Sequence, residues 1–415
     1  MIRPDELRRL CLNKKVFIWG AMIVGQGVCR ALERNGIPVE AFVDRSPGLQ
    51  GRSALGYPIH PPAEAIACAR AGRALIVTGS GHNSPEIAAL CENDGLSRGK
   101  DYILCAELND IDPSVDVSGR CNLRCISCPR GNEDHQPSSG FMSAATDRRV
   151  LDKLVREIPL LGSVQLYTWG EPLLNPELPE IVAVTREAKV LSAISSNLNY
   201  AKRLEAVVAA RPDWFKVSCS GWADSYERTH TGGRWDLFLS NLRQLARLRD
   251  AHHPDMQIIL NYHLYRHNTG EDYRRIESLC EELSLIFIPN HAYLYPLDSI
   301  MDYVDGRELS PRAREALPML LMTLDDGIAR ARKLVNLPCC EERTLPINWD
   351  CRVRECGVFF RPFVADDFLQ TPLAEILRRK RSGLCVECRK RGIQHFTAVY
   401  LAEKRLDVQG ASHDG

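Results

Sequence analysis

Short apolar runs alternate with amphipathic helical patterns along the middle of the chain, from about residue 112 to residue 300. The clearest helical pattern covers 235–249, where Leu237, Leu242, Leu245 and Leu248 recur at intervals of three to five residues. Further helical patterns cover 147–158, 177–189, 201–210 and 271–283, and the strand centres lie near Val117, Leu166, Ile194, Val217, Leu260 and Phe287. Six strands that alternate with helices predict a parallel sheet.

A separate α/β pattern precedes this region, over residues 1–108. An apolar strand at 15–20 leads through a glycine turn into a helix, and a second strand at 39–44 ends at Asp44. A third strand at 74–80 is followed by a helix that begins at Ser84. This order resembles a Rossmann-type nucleotide-binding half, so the pattern predicts a Rossmann-like N-terminal domain.

The glycine fingerprint of this N-terminal unit is incomplete. Gly20 and Gly25 stand where the first and third glycines would fall, but Met22 takes the middle position. The middle glycine lets the backbone approach a pyrophosphate, so a Met side chain there argues against tight dinucleotide binding. Asp44 could still bind a ribose or sugar hydroxyl. Two interpretations stay open, namely nucleotide or sugar binding and a scaffolding or protein-contact domain.

Composition and charge narrow the classes of function. Of 415 residues, 45% are hydrophobic and 26% are charged, and the formal net charge is zero. Zero net charge gives no overall attraction to nucleic acid or membranes. No apolar run is long enough for a membrane span, and the N-terminus lacks the apolar stretch of a secretory signal. We therefore expect a cytoplasmic protein whose sixteen cysteines are metal ligands and reduced thiols.

Three closely spaced cysteines follow the first predicted barrel strand. Cys121, Cys125 and Cys128 have three and then two residues between them. Thiolates at this spacing on a loop can hold one iron–sulfur cube, and one iron would then lack a protein ligand. An open metal position is typical of a catalytic site. The alternatives are a zinc site or three unrelated buried thiols, although zinc motifs usually add a second cysteine pair nearby.

This C-x3-C-x2-C run is the signature of the radical S-adenosylmethionine (radical SAM) superfamily, which the chain resembles. The resemblance implies a partial (β/α)6 TIM barrel over residues 112–300, with a [4Fe–4S] cluster on the three cysteines and S-adenosylmethionine (SAM) beside it. Reactive groups in such barrels lie on the loops after the strands. The resemblance also implies a small-molecule substrate and an electron donor of the flavodoxin or ferredoxin type.

Gly170, Glu171 and Pro172 follow the second barrel strand and resemble the Gly-Gly-Glu motif that binds the SAM amino group in this superfamily. Trp169 replaces the first glycine. The alternative role for Glu171 is a carboxylate at a helix N-terminus. Further cofactor contacts are expected from Ser196, Asn197 and Ser218, with ordinary turn chemistry as their alternative. Other candidates near the strand ends are Ser220, His230, Asn261, His263, Asn268, Asn290 and His291.

A second cysteine constellation lies near the C-terminus. The stretch from Ile347 to Cys356 resembles the hairpin of SPASM and twitch domains, with Cys351 at the usual turn glycine. The resemblance implies one auxiliary [4Fe–4S] cluster in a small twitch-like domain over residues 338–395. A structural zinc site is the alternative. The candidate ligands are Cys339, Cys340, Cys356, Cys385 and Cys388, with either Cys339 or Cys340 as the upstream ligand.

The remaining segments are a predicted helical bridge over 301–337, with one helix from Ser310–Pro311 through Leu324, and a polar tail over 396–415. The favoured substrate is a sugar, an aminocyclitol or a nucleotide-sugar that undergoes dehydrogenation or epimerisation. Cys219 and Cys351 are candidate hydrogen donors for epimerisation. The alternatives are modification of a ribosomal peptide and a non-catalytic metal-binding or redox-sensing module.

Overall fold

A computed structural model describes residues 2–80, 83–132, 139–360, 362–381 and 383–401 of the chain. The chain forms two compact units. Unit 1 comprises Met1–Asp112, Arg148–Val164 and Ala183–Ser192, and unit 2 comprises Pro113–Asp147, Gln165–Val182 and Ala193–Gly415. The domain limits expected from the sequence stay predictions. No described helix combines the length and apolar character that crossing a bilayer requires.

The strands are, in chain order, β1 Lys15–Trp19, β2 Ala41–Val43, β3 Ser53–Ala54, β4 Tyr57–His60, β5 Ala74–Thr78, β6 Tyr102–Ile103, β7 Asp112–Val115, β8 Ser163–Gln165, β9 Leu191–Ser196, β10 Trp214–Cys219, β11 Gln257–Leu264, β12 Ile286–His291, β13 Thr344–Ile347, β14 Val353–Arg354 and β15 Phe363–Ala365. The helices are α1 Pro4–Leu10, α2 Ile23–Arg34, α3 Pro62–Arg70, α4 Ser84–Asn93, α5 Cys105–Leu108, α6 Pro129–Asn132, α7 Ala144–Glu157, α8 Leu178–Glu187, α9 Leu204–Ala209, α10 Asp224–Thr229, α11 Trp235–His252, α12 Glu271–Glu282, α13 Leu297–Val304, α14 Pro311–Ala316, α15 Leu324–Arg332, α16 Leu373–Arg379, α17 Leu384–Lys390 and α18 Phe396–Leu401. Short 3₁₀ turns cover Pro172–Leu174, Leu317–Met319 and Cys340–Arg343.

The N-terminal sheet has the strand order β3-β4-β2-β1-β5-β6. Strands β4, β2, β1, β5 and β6 run parallel, and β3 pairs with β4 in the antiparallel direction. Alternate residues of β1 pack into separate cores on the two faces of the sheet, Val16 and Ile18 on one and Phe17 and Trp19 on the other. This parallel, doubly covered sheet confirms the predicted Rossmann-like fold.

The larger sheet has the order β12-β11-β10-β9-β8-β7-β13-β14-β15. Its first six members in chain order, β7 to β12, lie side by side, and helices connect them as in a partial (β/α)6 barrel. The fold class expected from the sequence is therefore confirmed. Strand β7 ends at Val115, before Asp116 and Val117, which the apolar pattern had included in the strand.

Alternating burial distinguishes the two faces of this barrel sheet. In β10, Phe215, Val217 and Cys219 are fully buried, whereas Lys216 and Ser218 between them are half-buried. The fully buried set faces the helices, as the edge-to-face contact of Tyr262 in β11 with Tyr273 in α12 shows. We call the opposite surface the inner face; it carries Ser195, Lys216, Ser218, Asn261, His263 and Asn290.

The C-terminal segment continues the barrel sheet. Strand β13 lies beside β7, where the backbone N–H of Asp116 donates to the carbonyl of Ile347 at 2.8 Å. Strands β14 and β15 then add in the antiparallel direction. The predicted cysteine hairpin is therefore an extension of the same sheet on the side of the first barrel strand.

Two expectations for the C-terminal third are corrected. The helix that starts at Ser310–Pro311 ends at Ala316, because Pro318 lacks the N–H that would continue it, and a second helix begins at Leu324. The predicted tail begins too early. Phe396 and Tyr400 are buried in helix α18, which packs in one hydrophobic cluster with helix α15.

Candidate active site

The cysteine loop from Cys121 to Cys128 is fixed by main-chain hydrogen bonds. Arg124 N–H donates to the carbonyl of Thr231 at 2.9 Å, and Ile126 N–H donates to the carbonyl of Thr229 at 3.1 Å. These bonds connect both halves of the loop to the last residue of α10 and to the segment that follows it. The loop then enters α6 at Pro129, a residue type suited to the start of a helix.

The three thiols of this loop lie close enough to interact electrostatically. Burial raises the pKa of Cys121 to about 12 and that of Cys128 to about 11, and it also raises the pKa of Cys125. The charge of each neighbouring thiolate raises the pKa of Cys125 further. Thiolates gathered in a buried site need a bound cation, so this donor set fits an iron–sulfur cluster.

Hydrogen-bond donors also reach Cys121. Its Sγ accepts from the backbone N–H of Leu123 at 3.5 Å, and Asn197 Nδ2 lies 3.7 Å away. Within the described ranges, no three His, Cys, Asp or Glu side chains are grouped as ligands of one metal ion would be. An iron–sulfur cluster is the prediction for this loop, and a zinc ion is the alternative.

Gly170 lies where backbone segments cross. A Cβ atom at this position would stand 1.5 Å from the carbonyl oxygen of Ser118, on the segment that leads into the cysteine loop. Next to it, the N–H of Glu171 donates to the carbonyl of Arg120 at 2.7 Å. The loop after the second barrel strand therefore lies directly on the loop after the first.

Glu171 is buried, and its carboxylate already has protein partners. Oε1 accepts from the N–H of Leu173 at 3.1 Å, and Oε2 accepts from the N–H of Asn197 at 2.8 Å. Burial raises the pKa of Glu171 to about 7, against the opposing effect of these bonds and of Ser196. The bond to Leu173 caps the turn that begins at Pro172, as the alternative interpretation expected. Binding of the SAM ammonium by Glu171 stays a prediction.

Asp116 anchors the segment that carries the Gly-Glu-Pro motif. Its fully buried carboxylate accepts from the backbone N–H groups of Thr168, Trp169 and Gly170 at 3.2–3.3 Å. Burial raises the pKa of Asp116, whereas Arg354 and these N–H groups oppose that rise. A buried charge is stable only with such partners.

Arg354 connects this anchor to the C-terminal hairpin. Its guanidinium is fully buried, lies 3.8 Å from Asp116 and donates to Asn348 Oδ1 at 2.7 Å. The indole of Trp349 packs directly on the backbone of Gly119 and Gly140, where a Cβ atom would stand 2.3 and 2.4 Å from its ring. The hairpin thus holds both segments that lead into and out of the cysteine-loop region.

Trp169, which replaces the first glycine of the motif, belongs to an aromatic cluster. Its ring makes edge-to-face contacts with Tyr295 at 5.0 Å and with Phe360 at 5.9 Å between centroids. Phe360 lies just beyond β14, so the Trp side chain supplies a contact to the C-terminal segment that a glycine could not make.

The inner face gathers several of the predicted polar residues. Ser218 pairs in register with Asn261, and His263 pairs with Asn290. Ser220 Oγ lies 3.3 Å from His263 Nδ1. Asn268 instead holds a turn, because its amide donates to the carbonyl of His263 and accepts from the N–H of Tyr265.

The other two histidines pack against aromatic rings, and His230 is near enough to His263 for the charge of His263 to add to the effect of burial on its pKa. His230 stacks on Tyr226 with 4.3 Å between ring centroids, behind the cysteine loop. His291 is buried and makes an edge-to-face contact with Tyr400. Burial lowers the pKa of His230 to about 3, that of His263 to about 4, and also that of His291. All three are therefore neutral at pH 7.

The two candidate hydrogen donors, Cys219 and Cys351, are not among the inner-face residues. Cys219 alternates with Ser218 and Ser220, so it points to the helices. Burial raises its pKa there, and the charge of Cys280 in α12 adds to that rise. This position corrects the expectation that Cys219 faces a substrate. Cys351 forms the hairpin turn with a φ of +64°, which explains why related turns place glycine there. Its N–H donates to the carbonyl of Asn348 at 2.9 Å.

The C-terminal cysteines form a second group. The charge of Cys339 acts on the pKa values of Cys356, Cys385 and Cys388, which burial raises in each case. The side chain of Cys340 lies outside the described residues. Cys339, Cys356, Cys385 and Cys388 thus come together from separate segments, and four thiolates fit a fully ligated cluster.

A buried lysine lies within this second group. The Lys380 ammonium donates to the carbonyl of Thr344, and burial lowers its pKa. The nearby thiols of Cys356, Cys385 and Cys339 raise its pKa in the opposite direction. Glu341 acts on this pKa in the same direction, so the buried cation lies beside a carboxylate and three of the four cysteines.

In unit 1, Asp44 ends β2 beside the glycine turn. Its carboxylate accepts from the N–H of Ala21 at 3.1 Å and from the N–H of Ser46 at 2.9 Å. These bonds hold the turn after β1 in place. The two interpretations of this unit both stay predictions.

Three charged residues of this region were not predicted from the sequence, namely Asp116, Lys216 and Arg354. Asp116 interrupts the apolar run of the first strand, and Lys216 interrupts that of the fourth. An ionisable residue inside a buried strand is costly unless it has a partner, and that signal could have identified both. Arg354 stands two residues before Cys356, but its partner is distant in sequence.

Comparison with known proteins gives partial matches. No protein-family model matches the chain. It is 32% identical to a GTP 3',8-cyclase of Mycobacterium sp. (strain KMS) over 128 residues, which are 29% of this chain and 33% of the relative. It is 28% identical to the 7,8-dihydro-6-hydroxymethylpterin dimethyltransferase of Methanocaldococcus jannaschii over 103 residues, or 22% of this chain and 19% of the relative. The chain thus spans about a fifth to a third of these relatives.

A longer but weaker match covers 57% of this chain and 66% of a GTP 3',8-cyclase of Chlorobaculum tepidum, at 26% identity. Among solved structures, Streptococcus suis SuiB bound to S-adenosylmethionine has a TM-score of 0.43 at 14% identity, over 70% of this chain and 71% of that one. BtrN in complex with AdoMet and 2-DOIA has a TM-score of 0.39 at 16% identity, over 70% and 91%. Likenesses this distant carry no inference about fold or function.

Substitution of Gly170 by alanine should separate the two loops, because its Cβ atom would overlap the carbonyl oxygen of Ser118. We expect the reconstituted variant to lose most of the iron of the cysteine loop, or about half of the total if two clusters bind. Iron analysis and visible absorbance measure this. Gly270→Ala is the matched control, because nothing lies within 4 Å of its added Cβ. Full iron content in Gly170→Ala would contradict the assigned contact.

Arg354→Met should destabilise the chain by about 3–5 kcal/mol, because it leaves the buried carboxylate of Asp116 without its guanidinium. Denaturant unfolding of the purified chain measures the loss. Asp116→Asn in the same chain should recover part of it, because the double variant no longer buries a carboxylate that has lost the guanidinium of Arg354. Additive losses in the two single variants and the double variant would show that the residues do not interact.

Acid should destabilise the chain through His230. Its pKa is lowered from 6.5 to about 3 in the folded state, so the unfolded chain takes up a proton first as the pH falls below 6.5. Between pH 6.5 and pH 5 this costs about 2 kcal/mol. His230→Gln should lack this part of the loss in denaturant unfolding at pH 7 and pH 5. Equal losses in both proteins would assign the acid sensitivity to other groups.

Proposed function

We propose that this chain, a member of the radical SAM superfamily, uses a [4Fe–4S] cluster on Cys121, Cys125 and Cys128 to cleave SAM and remove a hydrogen atom from a small-molecule substrate. The observation that carries this proposal is the C-x3-C-x2-C loop at the end of the first barrel strand, with three buried, interacting thiols. The partial barrel supplies a polar inner face below it.

When bound and reduced, the cluster supplies the electron that splits the sulfonium of SAM and yields a 5'-deoxyadenosyl radical. Glu171 offers a buried carboxylate for the SAM ammonium. Ser196 and Asn197 both form hydrogen bonds with the carboxylate of Glu171. They therefore position Glu171, in addition to their proposed contacts with SAM. In this proposal the hydroxyl of Ser218, on the inner face, binds the ribose or carboxylate of SAM.

An auxiliary cluster is proposed at Cys339, Cys356, Cys385 and Cys388, in a SPASM- or twitch-like segment. The convergence of these four cysteines supports it, with buried Lys380 beside three of them. With all four positions filled by thiolates, this cluster has no open site for SAM or substrate, so it is suited to electron transfer or to structural support. The initial reductant is an external donor of the flavodoxin or ferredoxin type.

The favoured substrate is a sugar, an aminocyclitol or a nucleotide-sugar, and the favoured outcome is dehydrogenation. The polar character of the inner face, which carries Ser195, Ser218, Asn261 and Asn290, supports a hydroxyl-rich molecule. The matched relatives are named for GTP and for a pterin, which are also small polar molecules. Cys219 faces the helices and not the inner face, so it does not support epimerisation through that residue.

The reaction is tested by anaerobic reconstitution, followed by dithionite and SAM. We expect 5'-deoxyadenosine from the unaltered chain and none from Cys125→Ala. Cys280→Ala is the matched control, because that buried thiol lies between β10 and α12, away from both cysteine groups. Reconstituted, iron-loaded protein that forms no 5'-deoxyadenosine would favour a non-catalytic metal-binding module. Product analysis with candidate sugar nucleotides then addresses the substrate.

Iron counting tests the auxiliary site separately. Two [4Fe–4S] clusters correspond to about eight irons per chain, and Cys385→Ala with Cys388→Ala should reduce this to about four. The remaining cluster should keep the signal change that SAM causes in the electron paramagnetic resonance spectrum. About four irons plus one zinc in the unaltered chain would show that the second group is a zinc site.

A further inference from the structure

We propose that Lys216 forms an oxyanion subsite on the inner face of the barrel sheet and binds a carboxylate or phosphate group of the substrate. This inference rests on the proposed function, because it names a chemical property of the molecule on which that enzyme would act. Neither the cysteine loop nor the Gly-Glu-Pro segment includes this residue.

Strand register places Lys216 on the inner face. Lys216 pairs with Ser195 of β9 and with Ile259 of β11, and its neighbours Phe215 and Val217 are fully buried toward the helices. Side chains at equal register in a parallel sheet share one face and lie about 5 Å apart. The Ser195 hydroxyl and the Lys216 ammonium can therefore contact the same group.

The Lys216 ammonium has a neutral partner. Its Nζ donates to the Tyr167 hydroxyl at 3.1 Å and lies 5.4 Å from the centroid of that ring. Across the parts of the chain that the structure describes, Lys216 takes part in no ion pair with a carboxylate. An ammonium has three protons to donate, so most of its hydrogen-bonding capacity is left for a ligand.

The surrounding inner face is uncharged apart from this lysine. Ser195, Ser218, Asn261 and Asn290 are neutral, and His263 is held neutral by burial and by the charge of Lys216 itself. Glu171 lies at the upper end of the sheet and is bonded to backbone N–H groups. A half-buried positive charge without a counter-charge attracts an anion, and partial desolvation strengthens that attraction.

The position along the strand separates this subsite from the cofactor region. Lys216 lies two residues before Ser218 in β10. It is therefore about 7 Å farther than Ser218 from the C-terminal end of the strand. On the same face, Ile288 of β12 is 36% exposed and pairs in register with Asn261. Ile259 and Ile286 are also on this face, at the register of Lys216. The face therefore offers a cation, hydroxyl and amide groups, and apolar contacts, which suits a small molecule with one anionic end.

Calorimetric titration tests this subsite. The reconstituted full-length chain, saturated with SAM and without reductant, is titrated with inorganic phosphate and separately with succinate at constant ionic strength. We expect about one equivalent of at least one anion to bind. Lys216→Met should weaken binding roughly tenfold or more, which is the effect of losing one charge-assisted hydrogen bond. Lys216→Arg should stay within about threefold of the unaltered chain, because it retains the positive charge.

Lys202→Met is the matched control, because this lysine is exposed just after β9, and it should bind as the unaltered chain does. Preference for phosphate or for succinate identifies the source of the oxyanion, and either preference supports the proposal. Failure of both anions to bind, equal binding by Lys216→Met, or loss of binding when SAM is present would overturn it. The last result would assign Lys216 to the SAM carboxylate.

A replacement variant and a binding measurement that does not depend on SAM cleavage complete the test. If Lys216→Met has a disturbed near-ultraviolet circular dichroism spectrum, Lys216→Gln replaces it, and the competition between SAM and anion in the unaltered chain still decides the question. Anion binding is also measured without SAM cleavage. A chain that binds the anion but forms no 5'-deoxyadenosine would contradict the proposed function alone, whereas the reverse result would contradict this subsite alone.

Discussion

The site depends on the interactions of one buried group, the carboxylate of Asp116. It receives three backbone N–H groups from the segment that leads into the Gly-Glu-Pro motif, and the guanidinium of Arg354 lies 3.8 Å away. A charge removed from water must be fully partnered or the fold loses several kcal/mol. The positions of the first strand, the second loop and the C-terminal hairpin are therefore determined together.

This anchor explains why the C-terminal segment is part of the barrel sheet. Strand β13 pairs beside β7, Arg354 reaches Asp116, and Trp349 packs on the backbone of Gly119 and Gly140. The segment that brings Cys356 to its group is thus attached to the segment that leads to Cys121. The hairpin and the segments on both sides of the cysteine loop are therefore in direct contact, whereas the loop itself is bonded to Thr229 and Thr231.

The inner face shows how a parallel barrel separates packing from chemistry. Residues that face the helices are fully buried and apolar, and they include the thiol of Cys219. Residues between them, such as Lys216, Ser218 and His263, remain accessible to a ligand. A one-residue shift of register would exchange the two sets, so the apolar set fixes where the polar groups point.

The sequence by itself determined the order of strands and helices, the Rossmann-like and barrel sheets and the two cysteine groups, because apolar periodicity and cysteine spacing are local properties. It could not decide which side of a strand Cys219 faces, where the first strand ends, or that Phe396–Leu401 packs as a helix. The sequence also left two roles open for Glu171, binding of the SAM ammonium and capping of a helix N-terminus. The structure shows that Glu171 caps the turn at Pro172 and accepts a hydrogen bond from Asn197. Only the tertiary structure brought Arg354 to Asp116 and gave Lys216 a neutral partner, because such pairings join residues far apart in the chain. The local sequence shows only that a charged residue is present. The packing of the whole sheet decides which partner offsets the free-energy cost of burying that charge.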